Sequence, residues 1–436
     1  MKKHDLIVRT YQDAAFIMNR ENWSSIFFEG TLANKVPEIL VNKNIQLPKN
    51  REQKKDFLLL QKSVRGFLEE DEHQTKNISG AKSEINYSMV NLCKYARQNW
   101  QVINASIELL SKCNQNCLHC YWEELTKKGL ELKYLLPLAK ELKEVGVIFI
   151  LLTGGETFLR PDILEILSFL NELGFAIEIK TNGSLLNHKI IDFLSKIKIY
   201  DLQVSIYEIK NGHSAFTRSN YNFSKISENV NLLMFLGVRT SLSVTVGNHN
   251  INQIEQWHDK LISTFGEKIS VSYSPYITPN RGSIGEETKL RLSKEDLNGK
   301  FYNFLDKIDG FPAVDKYRSC GTQDTVCYAG RDQIVIDPDG YVHPCLDLRL
   351  KMGNIKEEPI NEILKKRGSF LNVFSIKDIP KCMGCSLKDY CDSCIGIALI
   401  ENGDYRKPVE HKCNITHLYN RRRIENEEKL QTAQGV

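Results

Sequence analysis

The chain has 436 residues, of which 42% are apolar and 26% charged, with a formal net charge of +4. This is the composition of an ordinary globular protein and excludes a disordered or collagen-like chain. So small a charge on so long a chain gives no argument for nucleic acid as a partner. The length exceeds what one core comfortably supports, which predicts two or three domains. The start shows no signal-peptide h-region and no apolar run is long enough to span a bilayer, so the expected location is the cytoplasm, with no membrane partner.

In a reducing compartment the 12 cysteines read as metal ligands rather than disulfides. Three stand at Cys113, Cys117 and Cys120, eight fall in the last third of the chain, and Cys93 is left over as a small apolar core residue.

Residues 1–73 read as a small α+β unit. Residues 6–8, 15–18 and 23–28 are strand-like, and Phe57, Leu60, Val64 and Phe67 give residues 52–70 the apolar spacing of a helix. Residues 69–83 are polar and poor in aromatics, which predicts a linker. A lead-in helix is expected over residues 87–100.

From 101 to 310 strands and helices alternate. The strands are expected at 102–110, 147–152, 176–180, 202–207, 240–246 and 269–273, and Leu135, Leu138, Leu142 and Val145 form a helical stripe between the first two. Such alternation implies a parallel sheet with helices outside. The first strand runs into the spacing C-x3-C-x2-C of Cys113, Cys117 and Cys120, followed by Tyr121 and Trp122. Three thiolates can hold three irons of a four-iron cluster and leave the fourth open. The alternative is structural zinc, for which His119 is the nearest fourth ligand. The second strand leads to Thr153, Gly154, Gly155 and Glu156, where two glycines permit close backbone approach and the carboxylate can accept from an ammonium. The third leads to Thr181, Asn182 and Gly183, and the fourth to Ser205, with Arg218 thirteen residues later.

These motifs, in this order, resemble the radical S-adenosylmethionine enzymes. The resemblance implies a partial (β/α)6 TIM-like barrel with its site at the C-terminal ends of the strands. It implies a [4Fe-4S] cluster on Cys113, Cys117 and Cys120 whose open iron chelates S-adenosylmethionine, from which a 5′-deoxyadenosyl radical is made. Tyr121, Gly154, Gly155, Glu156, Asn182, Ser205 and Arg218 would surround that cofactor, with Ser205 on a ribose hydroxyl and Arg218 on the methionine carboxylate. Tyr207 and Glu208 depart from the Asp-Gly that many relatives carry there.

In the last third, Cys320, Cys327 and Cys345 precede Cys382, Cys385, Cys391, Cys394 and Cys413. Residues 334–345, with a Pro338-Asp339-Gly340 turn, read as a hairpin that returns Cys345 towards Cys327. This pattern resembles the SPASM extension of peptide-modifying radical enzymes. It implies a first auxiliary [4Fe-4S] cluster on Cys320, Cys327, Cys345 and Cys394 and a second on Cys382, Cys385, Cys391 and Cys413, making three in all. The spacing of Cys391 and Cys394 is one residue short of the usual pattern. A zinc ribbon on Cys382, Cys385, Cys391 and Cys394 is the alternative. His213, His343 and Asp347 lie near functional loops without an assigned role, and the arginines at 421–423 read as a solvated helix face.

The fold class is therefore α/β, in three parts. Residues 1–83 weakly resemble a winged-helix peptide-recognition element plus linker, 84–310 the radical core, and 311–436 the cysteine-rich cluster domain. The function implied is maturation of a ribosomally made precursor peptide by hydrogen abstraction and crosslinking, through a carbon-carbon, carbon-oxygen or thioether bond. The precursor's leader would add as a strand to the small sheet, and a flavodoxin- or ferredoxin-type donor would supply electrons. The rivals are an anaerobic sulfatase maturase, against which Leu346 stands where an acidic residue would follow Cys345, and a non-catalytic electron-transfer protein.

Overall fold

Residues 5–30, 32–41, 51–73, 81–281, 285–308, 327–388, 391 and 394–433 are described in the structure, a computed structural model. At its start β1 (Leu6–Thr10), β2 (Ala14–Asn19) and β3 (Ser25–Glu29) form an antiparallel meander. Every residue of β2 is buried, because both faces of the central strand are covered. Ala15 and Ile17 pack with Val36, Ile39, Phe57 and Val64 from the helices Val36–Val41 and Arg51–His73. The alternate residues Ala14, Phe16 and Met18 face Leu92, Tyr95 and Ala96 of the helix Ala81–Gln98, together with Ile103, Ile148 and Ala176 of the core. Cys93 is half-buried against the same cluster. Arg9 donates from Nε to the Val147 carbonyl at 2.8 Å and Tyr11 from its hydroxyl to that of Gly146 at 3.2 Å. The small unit is thereby fastened to the end of the core from which the strands start.

The two ends of the expected linker are helical. The polar residues 69–73 continue the helix Arg51–His73 and residues 81–83 begin the helix Ala81–Gln98, while 74–80 lie outside the described residues. Glu, Lys and Ala are strong helix formers, so a stretch with little to bury still holds helix.

The six expected strands are all present as β4 (Asn104–Glu108), β5 (Phe149–Thr153), β6 (Ala176–Thr181), β7 (Ile199–Ser205), β10 (Thr240–Thr245) and β11 (Ser270–Ser274), each parallel to its neighbour. Between β7 and β10 a hairpin of β8 (Asn211–Ser214) and β9 (Ser219–Asn222) was not expected. Nor was the continuation of the main sheet. The C-terminal strands β12 (Gln333–Ile336), β13 (Tyr341–His343) and β14 (Gly353–Asn354) extend it to nine, with β12 parallel to β4 and Val335 opposite Ser106. The hairpin turn between β12 and β13 is the one the sequence predicts: Gly340 has φ 94° and its N–H bonds the Asp337 carbonyl at 3.0 Å.

The period-2 alternation sorts the faces of this sheet. Ile107, Leu152, Ile179, Val204 and Val244 join one large core with Leu135, Leu138 and Leu142 of the helix Leu132–Glu144. Ser106, Glu178, Gln203, Ser205, Ser243 and Thr245 alternate with them and occupy the other face. A closed eightfold barrel fills its interior with layers of Val, Ile and Leu. A polar inner face fits the partial barrel, which keeps its interior open.

Candidate active site

The cysteine loop leaves β4 at Glu108 and is clamped on two sides. On one, the N–H of Gly155 bonds the Leu110 carbonyl at 2.8 Å and that of Glu156 the Lys112 carbonyl at 3.0 Å. A Cβ at Gly154 would stand 2.2 Å from the Leu110 oxygen, and one at Gly155 2.1 Å from that of Lys112. Here the two glycines are required by the crossing of two backbones. On the other side, Asn116 N–H bonds the Thr217 carbonyl at 3.0 Å and Leu118 N–H that of Phe216 at 2.9 Å, in the turn of the β8–β9 hairpin. The clamp brings Cys113, Cys117 and Cys120 together. Burial pushes all three thiols up, and at Cys117 the neighbouring Cys113 and Cys120 push further. A bound iron cluster reverses that preference, since a coordinating thiol is deprotonated outright. The nitrogens around the loop also fit an electron-rich sulfur centre, with the Gln115 N–H 3.4 Å and the Asn182 amide nitrogen 3.9 Å from the Cys113 sulfur. His119, the fourth ligand of the zinc alternative, stacks on Phe216 with centroids 4.9 Å apart.

The other sequence-predicted residues gather around this loop, with different degrees of freedom. Glu156 is fully buried. Its carboxylate accepts from the Thr181 hydroxyl at 2.6 Å, the Asn182 N–H at 2.8 Å and the Phe158 N–H at 3.1 Å. Burial pushes its pKa up against those three donors. The Asn182 amide bonds Asn114 at 2.9 Å and accepts from Ser184. Ser205 ends β7 beside Tyr207, whose half-buried ring packs 5.3 Å from His119. Arg218 is exposed on the hairpin turn, in the left-handed region at φ 49°. Tyr121 lies under the Arg281 guanidinium at 4.3 Å.

Arg281 belongs to a charge network that sequence reasoning missed. Its Nη2 meets Glu108 Oε1 at 2.7 Å and the Leu346 carbonyl at 3.0 Å, and its guanidinium also covers Trp122 at 4.5 Å. Glu108, fully buried, takes Arg349 on its second oxygen at 3.1 Å. Arg349 reaches Asp337 at 3.6 Å, and Asp337 holds His343 at 3.0 Å. His343 is thus a structural residue that ties the hairpin to this network. The chain of charges runs from the end of β4 to the segment after Cys345. Asp347 sits in the same place, its pKa pushed up by burial, with Cys394 3.9 Å away. The only sequence signal was a lone Glu five residues before the first cysteine, on the polar face of β4.

Cys320 lies outside the described residues. Cys327, Cys345 and Cys394 come together: burial followed by Cys327 and Asp347 pushes Cys345 up to about 12, and Cys394 is raised by burial, Asp347, Cys345 and Cys327. Cys382, Cys385, Cys391, Cys394 and Cys413 all line one cavity of about 280 Å³. Thiols around such a space fit an iron-sulfur cube, which takes four of these five. Thr416 and His417, each within 3.7 Å of a sulfur, stand at its rim. Arg422 departs from the expected solvated face, since it donates to Asp306, to the Asn298 carbonyl at 2.7 Å and to Asn303 at 2.7 Å.

Residues 107–261 match the radical SAM superfamily, and residues 327–394 match an iron-sulfur cluster-binding domain known as SPASM. Among curated relatives, an AdoMet-dependent heme synthase of Methanosarcina barkeri is 25% identical over 68% of this chain and 92% of its own length. The antilisterial bacteriocin subtilosin biosynthesis protein AlbA of Bacillus subtilis is 25% identical over 70% of each. In fold, the chain is similar to Streptococcus suis SuiB, solved bound to the precursor peptide SuiA. The TM-score is 0.62 over 94% of this chain and 99% of that one, at 17% identity. The chain belongs to the radical SAM superfamily and carries a C-terminal SPASM iron-sulfur domain.

Proposed function

We propose that the chain matures a ribosomally made peptide, abstracting a hydrogen from the bound precursor and closing a crosslink within it. The observation that carries this reading is the seating of a three-stranded sheet with its helices on a radical SAM core that has a polar inner face. An extended leader can add to an outer strand of that small sheet by backbone hydrogen bonds, and the polar face can receive the segment to be modified. The relatives AlbA and SuiB, one a bacteriocin biosynthesis protein and the other solved with a precursor peptide, support it.

Within this reading, residues 1–83 recognise the peptide, 84–310 generate the radical and 311–436 handle electrons. Cys113, Cys117 and Cys120 hold the first cluster. When bound, that cluster and S-adenosylmethionine supply a carbon radical able to take an unactivated hydrogen. The chain's own residues position and exclude. Gly154 and Gly155 press the cysteine loop into place, Asn182 donates towards Cys113, Ser205 and Arg218 flank the cofactor, and Tyr121 with Arg281 walls the mouth. Cys320, Cys327, Cys345 and Cys394 hold a second cluster, and Cys382, Cys385, Cys391 and Cys413 a third. A flavodoxin or ferredoxin is the donor.

The test is anaerobic incubation of the reconstituted chain with S-adenosylmethionine, reductant and the short peptide encoded beside it. Release of 5′-deoxyadenosine and a peptide mass lower by two hydrogens support the reading. Heme synthases among the relatives motivate a parallel reaction with an iron porphyrin. Turnover of the porphyrin without change to the peptide would replace the peptide reading.

A further inference from the structure

Away from the cysteine loop the chain has an open cleft of about 810 Å³. Val102 and Val145, which precede β4 and β5, line it, as does Arg331, which precedes β12. These parallel strands all start here, so the cleft opens at the end of the sheet opposite the cysteine loop. Its far wall is the helix Ile360–Lys366 and the turn that follows, with Lys365 and Arg367. Trp100 lies on its floor in the left-handed region at φ 55°. The guanidinium of Arg331 covers one part of its ring at 4.5 Å and that of Arg367 another at 5.5 Å, while Arg367 also donates to the Trp100 carbonyl. The remaining polar lining is amide, from Gln98, Gln101, Asn361 and Asn372. Among the described residues no carboxylate lines it; Lys365 pairs at 2.7 Å with Glu362 of its own helix, outside the lining, so Arg331, Arg367 and this paired lysine make the opening basic.

The cleft adjoins one of the thiol groups. Arg331 follows Cys327 and Tyr328 in the same short segment and feels the charge of both, and Arg97 covers the Tyr328 ring at 4.7 Å. The cleft is broad and shallow beside these half-buried thiols, which suits a protein surface better than an enclosed small molecule. A partner seated here would leave the polar inner face clear for substrate.

We propose that this basic cleft docks an acidic one-electron carrier protein, which exchanges electrons with the cluster on Cys327, Cys345 and Cys394. The inference rests on the assignment of that cluster under the proposed function. Each transfer moves one electron from reduced carrier to the chain's cluster, leaving the carrier one-electron oxidised, with no bond made or broken. Complementary charge steers such encounters and makes them salt-dependent.

The test uses the full chain loaded with clusters and a recombinant flavodoxin as probe, with binding followed anaerobically at several salt concentrations. The double variant Arg331→Glu, Lys365→Glu should bind at least about tenfold more weakly than the wild type at low salt, while cleaving S-adenosylmethionine normally with dithionite. Exposed Lys365→Glu alone, which gives up only the exposed pair with Glu362 on the same helix, serves if the double variant folds poorly and should show a smaller loss. Equal flavodoxin affinity in wild type and variants overturns the proposal. It also falls if the variants lose the precursor peptide in place of flavodoxin, or if only their self-association changes in sedimentation. The binding comparison needs no peptide, so failure of the maturase assay leaves its outcome intact.

Discussion

Gly155 meets Lys112 backbone to backbone, so closely that a Cβ on the glycine would lie 2.1 Å from the lysine carbonyl oxygen. Neither backbone is the end of a flexible side chain, so Gly155→Ala has to displace the cysteine loop. The expected cost is about 1–3 kcal/mol, with loss of the cluster on Cys113, Cys117 and Cys120. Iron analysis and electron paramagnetic resonance should show that cluster depleted, with the C-terminal iron retained.

Glu108 is buried between two guanidinium groups, and Arg281→Ala removes the closer of them. Glu108 then keeps only Arg349, so the loss, read from the urea midpoint, should be clear yet fall short of the roughly 3–5 kcal/mol that a buried charge left with no partner costs. The exposed pair of Lys196 and Asp192 is the contrast. Lys196→Ala should change the urea midpoint by less than about 0.5 kcal/mol equivalent.

His249 stacks on Phe216 at 4.1 Å, and the Phe216 carbonyl holds Leu118 of the cysteine loop. Burial lowers the His249 pKa from 6.5 to about 4. Between those values the unfolded chain takes up a proton that the folded chain refuses. Stability is therefore lost as pH falls through this window, by up to about 1.4 kcal/mol per pH unit. His249→Phe keeps the stack and removes the proton, so the difference in denaturation midpoint between variant and wild type should widen from pH 6.5 down to pH 4.

Cys394 and Cys413 distinguish two interleaved clusters from one zinc ribbon. Each single serine variant should lose about four irons per chain, and the double variant about eight. A double variant that loses no more than a single one places both residues in one site. Zinc released from Cys394→Ser alone would favour the ribbon.

Much of this was legible because periodicity and spacing are local. The apolar alternation of Leu242 and Val244 against Ser241 and Ser243 marks β10 as a strand with one buried face, and the three thiols of the first motif lie within a single loop. What escaped the sequence is set by distant partners. Nothing near Glu108 announces Arg281 or Arg349, which arrive from loops far along the chain. The β8–β9 hairpin is short and polar, with Asn211, Gly212 and His213 exposed, so it lacks the hydrophobic pattern that reveals a strand. Glu156 looks open to a ligand in the sequence, yet the fold surrounds it with three donors. The polar residues after Phe67 carried a helix because propensity held where burial gave no signal.

The pairing of β12 with β4 means that the cysteine-rich segment is no detachable appendage. Cutting the chain before Gln333 would strip a neighbour from the very strand that delivers the first three thiols, leaving a raw sheet edge open to aggregation. Grafting these C-terminal cysteines onto a different scaffold would have to carry that strand, and its alignment with Ser106, along with them.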